Sequence, residues 1–127
     1  MHCAARALWR NAMTMRVLLV EDEPLIAMML EDFLDALDRQ HAGTADSVAA
    51  ALSMVEEGAL DAAILDVNLR GGEKSFAIAE ALAAKNIPFV FASGGGGEDI
   101  APEYRDRPML PKPYTMEGVE QALAKLG

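Results

Sequence analysis

The chain has 127 residues, of which 52% are hydrophobic and 24% are charged, so it is long enough for one domain with a single buried core. Its formal net charge of −9 repels a phosphate backbone and argues against nucleic-acid binding. No apolar stretch approaches the roughly 20 residues of a membrane-spanning helix, and the single cysteine cannot form an internal disulfide, so we expect a cytoplasmic protein that does not enter a membrane.

Residues 1–14 differ from the rest of the chain because they contain two arginines and no acidic residue. The apolar run around Leu8 and Trp9 is too short for the core of a secretory signal, which needs about 7–15 residues. Two interpretations stay open. The segment is either a short amphipathic helix that docks on the domain, or the product of an upstream start codon. In both cases we expect the folded domain to span residues 15–127.

From residue 15 onward, short apolar runs alternate with helical patterns. The run RVLLV at 16–20 predicts a buried strand, and apolar residues recurring every three or four positions predict a helix over 24–38. The other strands are expected at about 41–45, 61–66, 88–92 and 108–110, and the other helices at about 47–57, 74–85 and from Thr115 onward. These units predict a flavodoxin-like α/β fold: a doubly wound, five-stranded parallel sheet in the order 2-1-3-4-5 with helices on both faces.

Polar side chains stand at or near the ends of four predicted strands. Glu21 and Asp22 follow the first strand, Asp66 ends the third, and Ser93 and Lys112 follow the fourth and fifth. The carboxyl ends of parallel strands meet at one edge of a sheet. We therefore expect these side chains to converge in one small acidic pocket.

Taken singly, these carboxylates have ordinary explanations, because Glu21 and Asp22 fit an acidic helix start and Asp66 fits a strand-end turn. Together, three carboxylates at adjacent strand ends raise one another's pKa unless a cation neutralises them. A ligand set made only of oxygens selects Mg²⁺, and the two histidines are too far apart in sequence to suggest a zinc site. The pattern indicates a magnesium site and phosphoryl chemistry on an aspartate.

Four short sequences, in this order, resemble the receiver domain of two-component response regulators: VLLVEDEP, ILDVNLRGG, FASG and LPKPY. The resemblance covers residues 15–127. It implies that Asp66 accepts a phosphoryl group and that a divalent cation, Mg²⁺ or Mn²⁺, binds nearby. The implied metal ligands are the carboxylates of Glu21, Asp22 and Asp66 and the backbone carbonyl of Asn68.

The resemblance also implies roles for the last two strand ends. Ser93 takes the place of the switch hydroxyl of the family, and Lys112 takes the place of its phosphoryl-binding lysine. The peptide bond between Lys112 and Pro113 is typically cis in the family, and an X–Pro bond tolerates this at modest cost.

The sequence departs from the family pattern in two places. Three residues before the lysine, where the family usually has Tyr or Phe as the partner of the switch hydroxyl, this chain has Met109, so we expect the aromatic switch to be absent or replaced. Four consecutive glycines, Gly94–Gly97, disfavour a helix start, so we expect the fourth helix of the family to be short or mobile. FASGG followed by PKPY resembles the FATGUY-type subgroup of stand-alone receivers.

The resemblance implies a signalling role rather than an enzymatic one. We expect a stand-alone response regulator that takes a phosphoryl group from a sensor histidine kinase or a histidine phosphotransfer protein. It would relay the signal by contact with a downstream protein, whose identity the sequence does not give, or by phosphorelay. The alternative is a small phosphatase of the haloacid-dehalogenase type on a similar sheet. That class needs a second Asp two residues after the nucleophile, where this chain has Asn68.

Overall fold

The computed structural model describes residues 15–69, 72–93, 100, 102–104 and 109–126. Within them, five strands and four α-helices alternate along the chain. The strands are β1 (Arg16–Val20), β2 (Gln40–Ala45), β3 (Ala62–Asp66), β4 (Phe89–Ser93) and β5 (Met109–Pro111). The helices are α1 (Pro24–Ala36), α2 (Val48–Glu57), α3 (Phe76–Ala84) and α4 (Met116–Leu126). The predicted elements are confirmed, with ends that differ by one or two residues.

The five strands form one parallel sheet in the order β2-β1-β3-β4-β5, which confirms the predicted flavodoxin-like topology. β3 and β4 lie in the middle of the sheet, and every residue of both strands is buried. Strands covered on both faces have near-continuous apolar sequences, as AAIL and FVFA do here. Only the last residue of each, Asp66 and Ser93, is polar, and both lie at the carboxyl edge of the sheet.

Two helices cover each face of the sheet. Successive strand residues point to opposite faces, so that Leu19 packs in the layer of α1 and α4 while Leu18 packs in the layer of α2 and α3. The first layer contains Leu30 and Leu34 of α1, and the second contains Val55 of α2. This arrangement holds the strand ends rigidly against each other from both sides.

Local sequence signals explain where the helices begin and end. Pro24 occupies the first position of α1, where its missing N–H donor is not needed. The hydroxyl of Ser47 caps α2 by accepting a hydrogen bond from the backbone N–H of Ala50. Gly58 ends the same helix with a φ of 80°, a conformation that side chains with a Cβ adopt rarely.

Two predictions fall outside the described residues. One concerns residues 1–14, and the other is the short or mobile fourth helix, which rested on Gly94–Gly97. Between β4 and β5, the described part of the chain contains a one-turn 3-10 helix, Pro102–Tyr104. None of the described helices has the length and apolar character needed to cross a bilayer.

Candidate functional site

The strand ends bring the predicted site residues to one edge of the sheet. Glu21 follows β1, Asp66 ends β3, Ser93 ends β4 and Lys112 follows β5. Backbone hydrogen bonds fix these ends relative to one another: the N–H of Glu21 donates to the carbonyl of Ala45, and the N–H of Lys112 donates to the carbonyl of Ser93. The sheet itself therefore determines the distances within the site.

Three carboxylates lie together at this edge. Glu21, Asp22 and Asp66 each offer one oxygen to a group in which all the ligand atoms lie within 4.8 Å of one another. Glu21 is only 4% exposed and Asp66 only 6%, whereas Asp22 is half-buried. Like charges at this separation repel strongly when water is excluded, so a cation placed among them would relieve the repulsion.

Lys112 supplies a positive charge to the cluster. Its ammonium donates a hydrogen bond to Oδ1 of Asp66 at 3.0 Å, from a side chain that remains 34% exposed. The backbone N–H of Asn68 also points at Oδ1, at 3.4 Å. One oxygen of Asp66 is thereby oriented by two donors, and a charge-assisted bond of this kind is stronger than a neutral one.

Glu21 is held through both of its carboxylate oxygens. Oε2 accepts a hydrogen bond from the backbone N–H of Glu23 at 3.2 Å, and Oε1 accepts one from the hydroxyl of Tyr114 at 3.4 Å. The pKa of Glu21 is raised to about 7, first by burial and then by the negative charge of Asp66, against the lowering effects of the Glu23 amide and Lys112. A neighbouring cation would therefore favour the ionised form of Glu21.

The loop after β3 is fixed by contacts made by Asn68. The side-chain oxygen of Asn68 accepts a hydrogen bond from the ammonium of Lys74, and the backbones of the same two residues form an antiparallel bridge. The carboxylate of Glu73, the residue before Lys74, accepts a hydrogen bond from the N–H of Val48 at the start of α2. Asn68 therefore stands in a braced turn, two residues after Asp66.

The end of β4 carries Ser93 next to an aromatic cluster. Ser93 is 3% exposed and lies two residues after Phe91, so that strand alternation places both on the face of α2 and α3. The ring of Tyr104 lies 5.6 Å from that of Phe91 and stacks on Phe76 at 6.1 Å. Met109, where the sequence suggested that an aromatic residue was missing, pairs with Phe91 in the sheet register.

Two residues of this region had no role in the prediction from sequence. Tyr114 is the last residue of LPKPY. Its position two residues after Lys112 indicates that it lies at the same edge of the sheet. Tyr104 carried no such signal, because only the tertiary structure places its ring on β4. The Lys112–Pro113 peptide bond is cis, as the resemblance implied.

The family model of the response regulator receiver domain matches residues 17–124. The chain belongs to this family. The match spans all five strands apart from the first residue of β1 and covers every predicted site residue, so the receiver domain accounts for almost the whole described chain.

Solved structures of receiver proteins are similar to this chain. The solution structure of SdrG from Sphingomonas melonis Fr1 is 64% identical, with a TM-score of 0.81 over 89% of this chain and 96% of that one. The BeF3-activated conformation of SdrG from Pseudomonas melonis Fr1 is 65% identical, with a TM-score of 0.77 over 87% and 94% of the two chains. The receiver domain of PhyR from Erythrobacter litoralis is 27% identical, with a TM-score of 0.77 over 89% of each chain. No curated protein matches the sequence.

Receiver domains typically bind Mg²⁺ in an acidic pocket, and the cluster of Glu21, Asp22 and Asp66 is such a pocket. The donor set fits the ion, because carboxylate oxygens are hard ligands and Mg²⁺ needs only a few of them besides water. The raised pKa of Glu21 fits as well, since a divalent cation would offset the repulsion from Asp66. The residues present are therefore suited to Mg²⁺ or the similar ion Mn²⁺.

Proposed function

We propose that this receiver domain accepts a phosphoryl group on Asp66 from the phosphohistidine of a sensor histidine kinase or a histidine phosphotransfer protein. The observation that carries the proposal is the state of the Asp66 carboxylate. It is buried, it is held by Lys112 at 3.0 Å, and it lies beside two further carboxylates suited to a divalent cation. A buried aspartate oriented in this way can act as a nucleophile.

The proposed transfer is a nucleophilic substitution at phosphorus. An oxygen of Asp66 attacks the phosphorus of the phosphohistidine, so that an O–P bond forms while the P–N bond breaks and its electron pair returns to the imidazole of the partner. The product on this chain is an acyl phosphate. Phosphoryl transfer needs positioning and charge stabilisation more than further covalent chemistry. Lys112 stands where its ammonium can neutralise the charge of the transferred group.

The other site residues support the same step. Glu21, Asp22 and Asp66, with the backbone carbonyl of Asn68, would hold the Mg²⁺, which when bound stabilises negative charge on phosphoryl oxygens. The turn of Asn68 is braced by Lys74, which keeps its backbone next to Asp66. Ser93, at the end of the strand beside Asp66, would donate a hydrogen bond to a phosphoryl oxygen and so connect phosphorylation to β4.

The comparison with SdrG supports an activation of this kind. A protein 65% identical over most of both chains has been solved in a conformation described as BeF3-activated. The clustering of Asp66 with Lys112 and the acidic pair supports the proposal that this chain can respond to such a phosphoryl mimic. We therefore propose that the protein signals as a stand-alone receiver, by contact with a downstream protein or as a step of a phosphorelay. Phosphotransfer from each histidine kinase of the host in turn would reveal the donor.

The assignment of Asp66 can be tested with a small phosphodonor. Incubation with acetyl phosphate and Mg²⁺ should add one phosphoryl group, detected by intact-protein mass spectrometry, and Asp66→Asn should remove this gain completely. Asp35→Asn is the matched control, because Asp35 is an exposed carboxylate on α1 outside the cluster. Equal labelling of the wild type and Asp66→Asn would overturn the assignment, and sustained hydrolysis of a phosphomonoester would point to an enzyme instead.

A further inference from the structure

Tyr114 is a buried tyrosine in the segment between β5 and α4, and its hydroxyl reaches the acidic pocket. The residue is 8% exposed and its hydroxyl donates to Oε1 of Glu21 at 3.4 Å. Its ring lies 5.9 Å from the ammonium of Lys112, within the range of a cation–π interaction. The two charged residues and the tyrosine also line one cavity of about 310 Å³. The Tyr114 side chain thus interacts with both the negative charge of Glu21 and the positive charge of Lys112.

The hydroxyl of Tyr114 completes the fixation of Glu21. The second oxygen of Glu21 already accepts the backbone N–H of Glu23, so the two hydrogen bonds together determine how the carboxylate is turned. Each carboxylate oxygen has two lone pairs and keeps the capacity for another ligand. A glutamate side chain that is held in one rotamer loses less conformational entropy when a cation binds to it.

We propose that Tyr114 is a positioning residue of the metal site: its hydroxyl holds the carboxylate of Glu21 in the orientation that binds the divalent cation. This inference rests on the proposed function, because it assigns a role within the same site. It concerns the hydroxyl alone. The ring packs in the core layer of α1 and α4, beside Val119 and Leu110, and a phenylalanine would serve that purpose equally well.

The surroundings of Tyr114 keep its hydroxyl in the donating form. Burial is the main cause that raises its pKa, and the negative charges of Glu21 and Asp66 raise it further. These causes all favour the protonated phenol, whose hydroxyl donates to Glu21. A buried O–H group without an acceptor would be costly, which gives the bond to Glu21 a thermodynamic reason.

The test is the affinity of the full chain for Mg²⁺, measured by isothermal titration calorimetry in the wild type and in Tyr114→Phe. Without this hydrogen bond, the Glu21 side chain must be ordered when the ion binds, and this cost should weaken binding about tenfold. Tyr104→Phe is the matched control, because it removes a tyrosine hydroxyl in the aromatic cluster away from the carboxylates and should leave the Kd unchanged. A Tyr114→Phe protein with the wild-type Kd, or a tighter one, would overturn the proposal.

A double-mutant cycle with Glu21→Ala tests whether the hydroxyl acts through Glu21. In that background, Tyr114→Phe should have no further effect on the Mg²⁺ affinity, since its acceptor is gone. A full additional loss would show that the hydroxyl acts elsewhere and would overturn the inference. The phosphorylation rate with acetyl phosphate gives a second readout. Tyr114→Phe should need about tenfold more Mg²⁺ for half the maximal rate, while the rate at saturating Mg²⁺ is retained.

The two proposals can fail separately. A wild type that binds Mg²⁺ and is phosphorylated, together with an unaltered Tyr114→Phe, would overturn only the role of Tyr114. A wild type that binds no Mg²⁺ and gains no phosphoryl group would overturn both. Tyr114→Phe changes one oxygen atom within the core, so the variant should fold, and circular dichroism without Mg²⁺ checks this.

Discussion

Among the described carboxylates, Glu21 shows most directly what the fold does to the chemistry of a residue. In water, a glutamate with a pKa near 4.5 is ionised at neutral pH. Placed after β1 and covered by Tyr114, its pKa rises to about 7 because burial and the charge of Asp66 both penalise the ionised form. The same side chain is therefore poorly stabilised as an anion until a cation occupies the pocket.

This shift makes the stability of the metal-free protein depend on pH. The pKa of Glu21 is higher in the folded than in the unfolded state, so its stabilising contribution is complete below about pH 4.5 and is lost as the pH rises through about 7. With EDTA present, we expect the free energy of unfolding of the wild type to fall more between pH 5 and pH 8 than that of Glu21→Gln. Urea unfolding at several pH values measures the difference. Parallel curves for the two proteins would contradict the pKa shift.

The contacts of single residues also show how far the sequence could predict the site. The pairing of Lys112 with Asp66 was predictable, because both residues stand in motifs that end strands of a known sheet order. The hydrogen bond between Tyr114 and Glu21 was not, since it joins side chains 93 residues apart and depends on the rotamers of both. Sequence patterns place residues on an edge of the sheet, whereas side-chain packing decides which atoms meet.

At the scale of the elements, the predictions succeeded where local chemistry dominates. Ser47 and Gly58 mark the ends of α2 because a cap and a left-handed residue satisfy the free backbone groups there. β2 was the weakest of the predicted strands, since QHAGTA lacks the apolar run of β3 or β4. Its pairing with β1 at the edge of the sheet determines its structure. Tertiary contacts therefore decide the elements whose own sequence is ambiguous.

In the proposed mechanism, β4 is the element that would connect the site to the rest of the fold, because it carries both Phe91 and Ser93 on one face. Tyr104 packs on Phe91 at 5.6 Å, and Met109 of β5 pairs with the same residue. The aromatic ring that packs on β4 near Ser93 thus comes from the 3-10 helix rather than from β5. If Ser93 is drawn toward a phosphoryl group, the end of β4 moves and the environment of the Tyr104 ring changes.

We therefore expect beryllofluoride, added with Mg²⁺, to shift the NMR signals of the Tyr104 ring protons. Ser93→Ala should bind the mimic but lose most of this shift, because the hydrogen bond that connects the site to β4 is missing. The ring protons of Tyr114 should shift in both proteins and serve as the control for binding at the site. An equal response of Tyr104 in the wild type and Ser93→Ala would contradict a role of Ser93 in coupling.

At the scale of the whole molecule, the fold brings the carboxylates of the site together, whereas their negative charges repel one another. Two helix layers hold the strand ends in place, and so gather three carboxylates in a chain whose net charge is already −9. The sheet order and the two-layer core followed from the alternation of apolar runs and helical patterns. The repulsion at the carboxyl edge is a consequence of that architecture, and a bound cation would relieve it.

Binding of Mg²⁺ to the folded state alone should therefore stabilise the entire domain. At a Mg²⁺ concentration about ten times the Kd, the gain is about 1.4 kcal/mol, which for a chain of this size corresponds to a rise in Tm of about 5 °C. Differential scanning calorimetry at low ionic strength measures the shift, with NaCl at equal ionic strength as the control for general screening of the acidic surface. Asp22→Asn should lose most of the Mg²⁺-dependent rise and none of the response to NaCl. An identical rise with both salts in the wild type would mean that Mg²⁺ acts only by screening, and that the carboxylate cluster is not a metal site.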